Sequence, residues 1–485
     1  MFFHTDQFIP PKSLKFTGYG VSIKELKPKP LITGETVMVY DTNMTQGKPL
    51  RLLVAFALPL MFGNLFQQLY TVVDIAVIGR GVGMNALAAL GCVDWLNWMM
   101  IGIAQGFTQG FSVRIAQKYG EGAHEEMRQF IGQSAILSAV LSLLYLILGQ
   151  LLLPLVLILL RVPADLSPMA EIYTRTLLIG APAVMFFNYC SSVLRAVGDS
   201  KTPLKAMIIA SILNIVLDLI AVFLLDMGIA GAGMATNIAQ CAAGTICAVK
   251  IIQNPLLRFG RKEWQKNIPI LKNLTAIGTP AAAKNVIISV GGMGVQTIVN
   301  GFGTGFIAGF TATSKLYGLL EIAAISYGYA ITTYVGQNFG ADRPDRIREG
   351  IRSAVKLSVL TSLVIAAVMF LFGRSITGLF ISTEVPALAA EAKHVAYSFL
   401  CVMAAFLPVL YLLYVYLSAL QGMGYTGLTL ISGIIECFIR LGIAYLVGRW
   451  GYETGIFSAE IFAWIGAFWY LMYHYRQKIK QLEQK

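Results

Sequence analysis

Residues 51–79 read RLLVAFALPLMFGNLFQQLYTVVDIAVIG, an apolar run that opens on Arg51 and carries one carboxylate, Asp74, in its second half. At 1.5 Å of rise per residue, such a run crosses the roughly 30 Å hydrocarbon core of a bilayer as an α-helix, whose backbone satisfies its own hydrogen bonds. The signature recurs. Apolar spans fall at about 51–79, 86–117, 130–160, 172–194, 203–225, 229–251, 271–300, 306–337, 351–381, 391–420, 427–449 and 454–475, which makes twelve predicted helices. A chain of 485 residues with 56% hydrophobic and only 13% charged residues cannot cover a water-facing surface, so the expected solvent is lipid and a set of soluble domains is excluded.

The first span has a twin. At an offset of 221 residues, Pro59 and Asn64 fall on Pro280 and Asn285 of the seventh span. At 220, Gly81, Gly83 and Ala88 fall on Gly301, Gly303 and Ala308, and Gln117, Gly120, Arg128 and Ser138 fall on Gln337, Gly340, Arg348 and Ser358. At 226, Leu194 and Gly198 fall on Leu420 and Gly424. Two copies of a six-span unit start on the same side of the membrane, so they are related by an axis along its normal, with a cleft between them that suits alternating access. The expected fold is an all-α polytopic membrane protein of twelve transmembrane helices in two pseudo-symmetric six-helix bundles. Its domains are a tail over 1–49, an N-lobe over 50–251, a basic linker over 252–270, a C-lobe over 271–476 and a tail over 477–485; Met44 offers an alternative start. Transport is the leading reading of this repeat, with a channel or scaffold as alternatives.

Cations set the orientation. Lys48, Arg51, Arg195, Lys201, Lys205, Lys250, Arg258, Arg261, Lys262, Lys266, Lys272, Arg476, Lys478 and Lys480 share one side, while Arg80, Arg161, Arg374 and Arg449 are isolated on the other. Both termini are therefore expected in the cytoplasm of a multi-pass cell-membrane protein. The net charge of +12 reflects this topology and anionic headgroups rather than nucleic-acid binding. All six cysteines lie within apolar spans and read as small buried hydrophobes. With His4, His124, His394 and His474 far apart and no nucleophile set, P-loop or metal-ligand spacing, no catalytic residue, metal site or bound cofactor is expected.

A carboxylate at the centre of a membrane helix costs about 2.5–3.5 kcal/mol on insertion scales, so each needs a reason. Asp74 stands in the first span and Asp218 in the fifth; Asn214, one turn before Asp218, shares its helix face. Two carboxylates in one pocket cannot both stay charged cheaply, which suits a site that takes up H⁺ or a cation. Asn188 of the fourth span and Thr236 of the sixth can add oxygens to a Na⁺ shell or bond a protonated acid; the alternative is plain helix-to-helix hydrogen bonding. The second copy differs: Val295 and Gln296 stand where Asp74 would repeat, Arg440 falls on Asn214, and Glu460 falls on Thr236. Arg440 and Glu460 are expected to pair between helices, with Glu436 one turn from Arg440, as a structural clamp or a substrate contact. Lys284, four residues after Pro280, and Glu321 either touch substrate or pair with each other, and pairing is favoured.

The stretches Pro59 to Asp74 with Gly79, Leu194-Arg195-Ala196-Val197-Gly198-Asp199-Ser200-Lys201-Thr202-Pro203, Leu213 to Asp218, Gly231 to Thr236, and Val335-Gly336-Gln337-Asn338-Phe339-Gly340-Ala341, in this order, resemble the MATE (multidrug and toxic compound extrusion) family over about 44–475. The resemblance implies a V-shaped pair of six-helix bundles acting as an antiporter that exports organic, often cationic, compounds in exchange for H⁺ or Na⁺. It maps the family's N-lobe coupling site to Asp74, Asn188, Asn214, Asp218 and Thr236, and Pro59 and Pro280 to hinges. The branch with acids in helices 7 and 10 is not followed, since 273–300 and 392–428 hold no Asp or Glu. A small organic substrate and the lipid bilayer are the expected partners of a monomer. The competing function is a flippase for a lipid-linked or polysaccharide precursor, which would need a more basic cleft than Lys284 and Arg440 supply.

Overall fold

The computed structural model describes residues 43–160, 162–378, 381, 386–451 and 453–484; the expectations for residues 1–42 and for Arg161 fall outside the described residues. Among the described residues every regular element is helical. The first copy comprises α1 (Pro49–Gly81), α2 (Met84–Glu121), α3 (His124–Leu159), α4 (Ser167–Ile179), α5 (Ala181–Ala196), α6 (Lys201–Leu219) and α7 (Gly228–Gln253). The second comprises α8 (Ile268–Val299), α9 (Thr304–Gly340), α10 (Pro344–Gly378), α11 (Pro386–Gly422), α12 (Thr426–Trp450) and α13 (Phe457–Glu483).

The fourth span departs from expectation. The sequence predicts one helix over 172–194, but α4 and α5 meet at Gly180 with a 45° bend. Pro182 supplies no N–H for the turn that would join them, so carbonyls at the break need other donors. Asn237 of α7 reinforces the break on its α4 side: its Nδ2 donates to Thr176 O at 2.7 Å, beside the long 3.4 Å bond from Gly180 N–H, and a Cβ on Gly180 would collide with the Asn237 amide. The fifth span also changes character, since α6 ends in a π-helical turn over Ile220–Leu224. The linker proves shorter than 252–270, because α7 runs to Gln253 and α8 begins at Ile268.

Among the described residues, ten helices are long and apolar enough to cross a bilayer, and the bent α4–α5 pair, taken as one span, adds an eleventh. The remaining long helix, α9, is more polar because much of it faces protein: Thr313, Ser326, Thr332, Thr333, Gln337 and Asn338 are all buried along it. The outer surface is inverted relative to a soluble protein, with Leu151, Ile158, Leu371 and Phe438 each 70–75% exposed. In the C-lobe, Phe399 stacks between Phe310 and Phe457, at 4.8 and 4.7 Å between ring centroids, tying α9, α11 and α13 into one core.

The lobes meet through equivalent residues. Asn64 Nδ2 of α1 donates to Ser326 Oγ of α9 at 3.2 Å, and its twin Asn285 of α8 donates to Gly102 O of α2 at 2.7 Å. Toward the connector end, Gln117 Nε2 donates to Gly422 O at 2.9 Å and Gln337 Nε2 to Ala196 O at 2.8 Å. Glycine is required here: a Cβ on Gly120 would overlap the Gln337 carbonyl oxygen, and one on Gly340 would overlap that of Gln117. Met44 bolts this end, its N–H donating to Gln337 Oε1 at 2.8 Å and its carbonyl accepting from Asn338 and Arg346. Further along the same helices Lys315 of α9 pairs with Asp94 of α2 at 2.8 Å; at the offset of 220 that relates these helices the twin of Asp94 is Ser314 and that of Lys315 is Trp95, so the pair joins positions one residue apart in the repeat. Thus α2 and α9 touch through bare backbone at the connector end and through a full lysine side chain at the other.

Candidate functional site

In the N-lobe, α1, α6 and α7 converge on a cluster of oxygens. Asp74 lies one turn beyond Tyr70 on the same face of α1, and its carboxyl meets that of Asp218 on α6 directly. Asp218 and Asn214 are fully buried, at 0% exposure, and Asn214 Nδ2 approaches Thr236 Oγ1 of α7 at 3.5 Å. The Thr236 hydroxyl donates to Ala232 O, one turn back, which leaves its lone pairs toward the cluster.

Counting donors decides what the cluster can do. Asp74 Oδ1, Asn214 Oδ1 and both oxygens of Asp218 are buried with no hydrogen-bond donor among the described residues. Buried acceptors are almost always partnered, and two facing carboxyls without a donor between them call for a proton or a cation. Gln240, one turn after Thr236 on α7, adds another orphaned acceptor, Oε1, beside Tyr70. Sequence reading missed Tyr70 and Gln240, although the i, i+4 spacings from Asp74 and Thr236 carry the signal. Asn188, the fifth residue expected here, is not drawn in: its Nδ2 donates to Val184 O of its own helix α5 at 2.9 Å.

The C-lobe holds a different constellation. Arg440 of α12 and Glu460 of α13 meet at 2.7 Å, as expected, with Arg440 only 5% exposed. Glu436 is equally buried, and its Oε1 has no donor. The favoured pairing of Lys284 with Glu321 is not formed: no carboxylate lies within 4 Å of Lys284, and Glu321 instead accepts from the Tyr317 and Tyr414 hydroxyls. Two phenols serve a buried carboxylate as neutral donors, leaving the ammonium elsewhere. The hinge positions Pro59 and Pro280 lie inside α1 and α8, which both run continuously through them. Asp94 and Lys315 were overlooked, because each alone looks like a stray charge and only the packing of α2 on α9 brings them together.

A family model with the description MatE matches residues 59–220 and 280–446, two segments that begin at the twin prolines. Among relatives, the probable multidrug resistance protein YpnP of Bacillus subtilis (strain 168) is 29% identical over 451 residues, covering 91% of this chain and 99% of that protein. The FAD transporter of Shewanella oneidensis is 22% identical over 335 residues, covering 68% and 74%. Among solved structures, a MOP superfamily transporter from Pyrococcus furiosus, whose reported reverse polarity of binding pocket suggests a different function, superposes with a TM-score of 0.85 at 24% identity, covering 92% of this chain and 99% of its own.

Proposed function

The chain belongs to the MATE family of multi-pass membrane transporters, which are not enzymes, and from that premise we propose that it is a cell-membrane antiporter that exports organic compounds, often cationic, in exchange for H⁺ or Na⁺ taken up by Asp74, Asn214, Asp218 and Thr236. One observation carries this reading: Asp74 Oδ1 of α1, and Asn214 Oδ1 and both carboxylate oxygens of Asp218 on α6, are four buried acceptors on two helices without a donor among the described residues, with Thr236 of α7 beside them. Taking up a proton or cation there changes how α1 packs on α6 and α7, and α1 carries Asn64, whose bond to Ser326 joins the lobes. Ion binding is thereby coupled to the inter-lobe contact through one helix, with Pro59 as a flexible point within it. The multidrug resistance relative supports drug export as the transported class. Relatives of the family also include an FAD transporter, so cargo charge is read from the residues of this chain. The cation bias supports a cytoplasmic side for both termini and the basic connector, and the protein is proposed to work as a monomer.

The test is dye efflux from proteoliposomes with a pH or a Na⁺ gradient imposed alone. One gradient should drive efflux, and Asp218→Asn should abolish it while the protein still inserts. Gradient-driven efflux at the wild-type rate by that variant would refute the assignment.

A further inference from the structure

The C-lobe cluster contains opposite charges that protein partners do not use up. Lys284 packs its stem against α12, where a Cβ on Gly433 would lie 2.7 Å from its Cγ. That places its ammonium within electrostatic reach of Glu436, one turn along α12, and of Glu321 on α9. Yet it forms no ion pair or hydrogen bond with any described residue. Glu436 is 5% exposed with Oε1 lacking a donor, and Arg440, equally buried, has Nε lacking an acceptor although its Nη2 holds Glu460 Oε2. A pure clamp would close these groups on each other. Unpaired buried charges are costly, and a built-in cation beside a built-in anion that stop short of contact offer each sign to a ligand carrying the other.

We propose that Lys284 and Glu436 form a C-lobe binding point for zwitterionic cargo, Lys284 taking a carboxylate and Glu436 an ammonium or iminium group. The aromatic groups around the cluster fit the same ligand: Tyr317 stacks on Trp464 with centroids 6.0 Å apart, and Tyr414 reaches Glu321. Their ring faces favour a flat, delocalised cation, while the carboxylate anchor sets its orientation. A simple cation would satisfy Glu436 but crowd the ammonium of Lys284, so like-charge repulsion selects against it. Arg440 acts here as a positioning residue through its ion pair with Glu460, which ties α12, the helix that carries Glu436, to α13. The proposal rests on the transport reading only in that the cargo is a small organic molecule.

Rhodamine 19, a zwitterion, and its ethyl ester rhodamine 6G, a cation, share one chromophore and differ at the carboxylate. Binding of each to the purified full chain, followed by fluorescence anisotropy without any gradient, should favour rhodamine 19 about tenfold, as expected for one charge-assisted contact. Lys284→Met should erase that preference while rhodamine 6G binds at least as tightly as before, and Lys284→Arg should keep it. Equal binding of the two dyes by the wild type, which needs no variant to fold, would overturn the proposal, as would a preference that survives Lys284→Met. Asp218→Asn should keep the tenfold ratio even where gradient-driven efflux is lost, so the failure of ion coupling and the failure of this site read out separately.

Discussion

Replacing Gly120 by alanine tests whether the connector end of the lobe interface is a reciprocal clasp. The added Cβ would overlap the Gln337 carbonyl oxygen, whereas ordinary carbon contacts lie near 3.5–4 Å, so α2 and α9 must part by on the order of 1–2 Å. That movement stretches the bonds from Gln117 Nε2 to Gly422 O, now 2.9 Å, and from Gln337 Nε2 to Ala196 O, now 2.8 Å, beyond useful length. Overpacking costs about 1–3 kcal/mol and each lost bond about 1 kcal/mol. The closed end therefore loses at least about 3 kcal/mol relative to any conformer that opens it, a change in population of roughly a hundredfold or more. Gly340→Ala should act equally, since its Cβ meets Gln117 in the mirrored way. The double variant should cost less than the sum, because one separation relieves both clashes. Spin labels at the exposed positions Glu125 and Asp345, in a cysteine-free background, report the opening by pulsed EPR. An unchanged distance distribution in Gly120→Ala, or Gly340→Ala behaving differently from it, would refute the clasp.

Arg440→Leu should lower thermal stability by about 3–5 kcal/mol, since it strands Glu460 in the lobe interior, and Arg440→Leu with Glu460→Leu should recover most of the loss in the same unfolding assay. Asn237→Ala withdraws the donor to Thr176 O at the bend between α4 and α5; a destabilisation of about 1–3 kcal/mol, read as a fall in unfolding midpoint, is expected. Arg346→Ala releases the carbonyls of Met44 and Gly47, so limited proteolysis over residues 43–48 should speed up several-fold, with no change at the 254–267 connector.

The spans and their doubling were legible because bilayer thickness and a repeated proline, asparagine and glutamine pattern write directly into the chain. Asp74, Asn214 and Asp218 stood out for a related reason: a carboxylate in lipid is expensive, and helical spacing says which neighbours share its face. The bend at Gly180 was not legible, since apolar composition runs unbroken through it and the compensating amide comes from Asn237, 57 residues away. The Lys284 with Glu321 pairing failed because charge alone suggested it, whereas tyrosine hydroxyls, silent in any charge count, had taken the carboxylate. Asn188 failed similarly: its oxygen-bearing side chain qualified it, and its own helix claimed it.

The ion pair between Asp94 and Lys315 bears on how such a molecule can arise. An interface in which Gln117 grips the far lobe as Gln337 grips the near one is of the isologous kind made by two identical chains. In a true homodimer every off-axis contact occurs twice, so a charge pair between positions 94 and 95 of the unit would have to be made in both directions. Here only one direction is charged: Asp94 meets Lys315, while the twin positions Ser314 and Trp95 are neutral. Fusion of the two copies into one polypeptide thus lets a single contact of a symmetric seam carry charge alone, which marks one half as the acid partner and the other as the base.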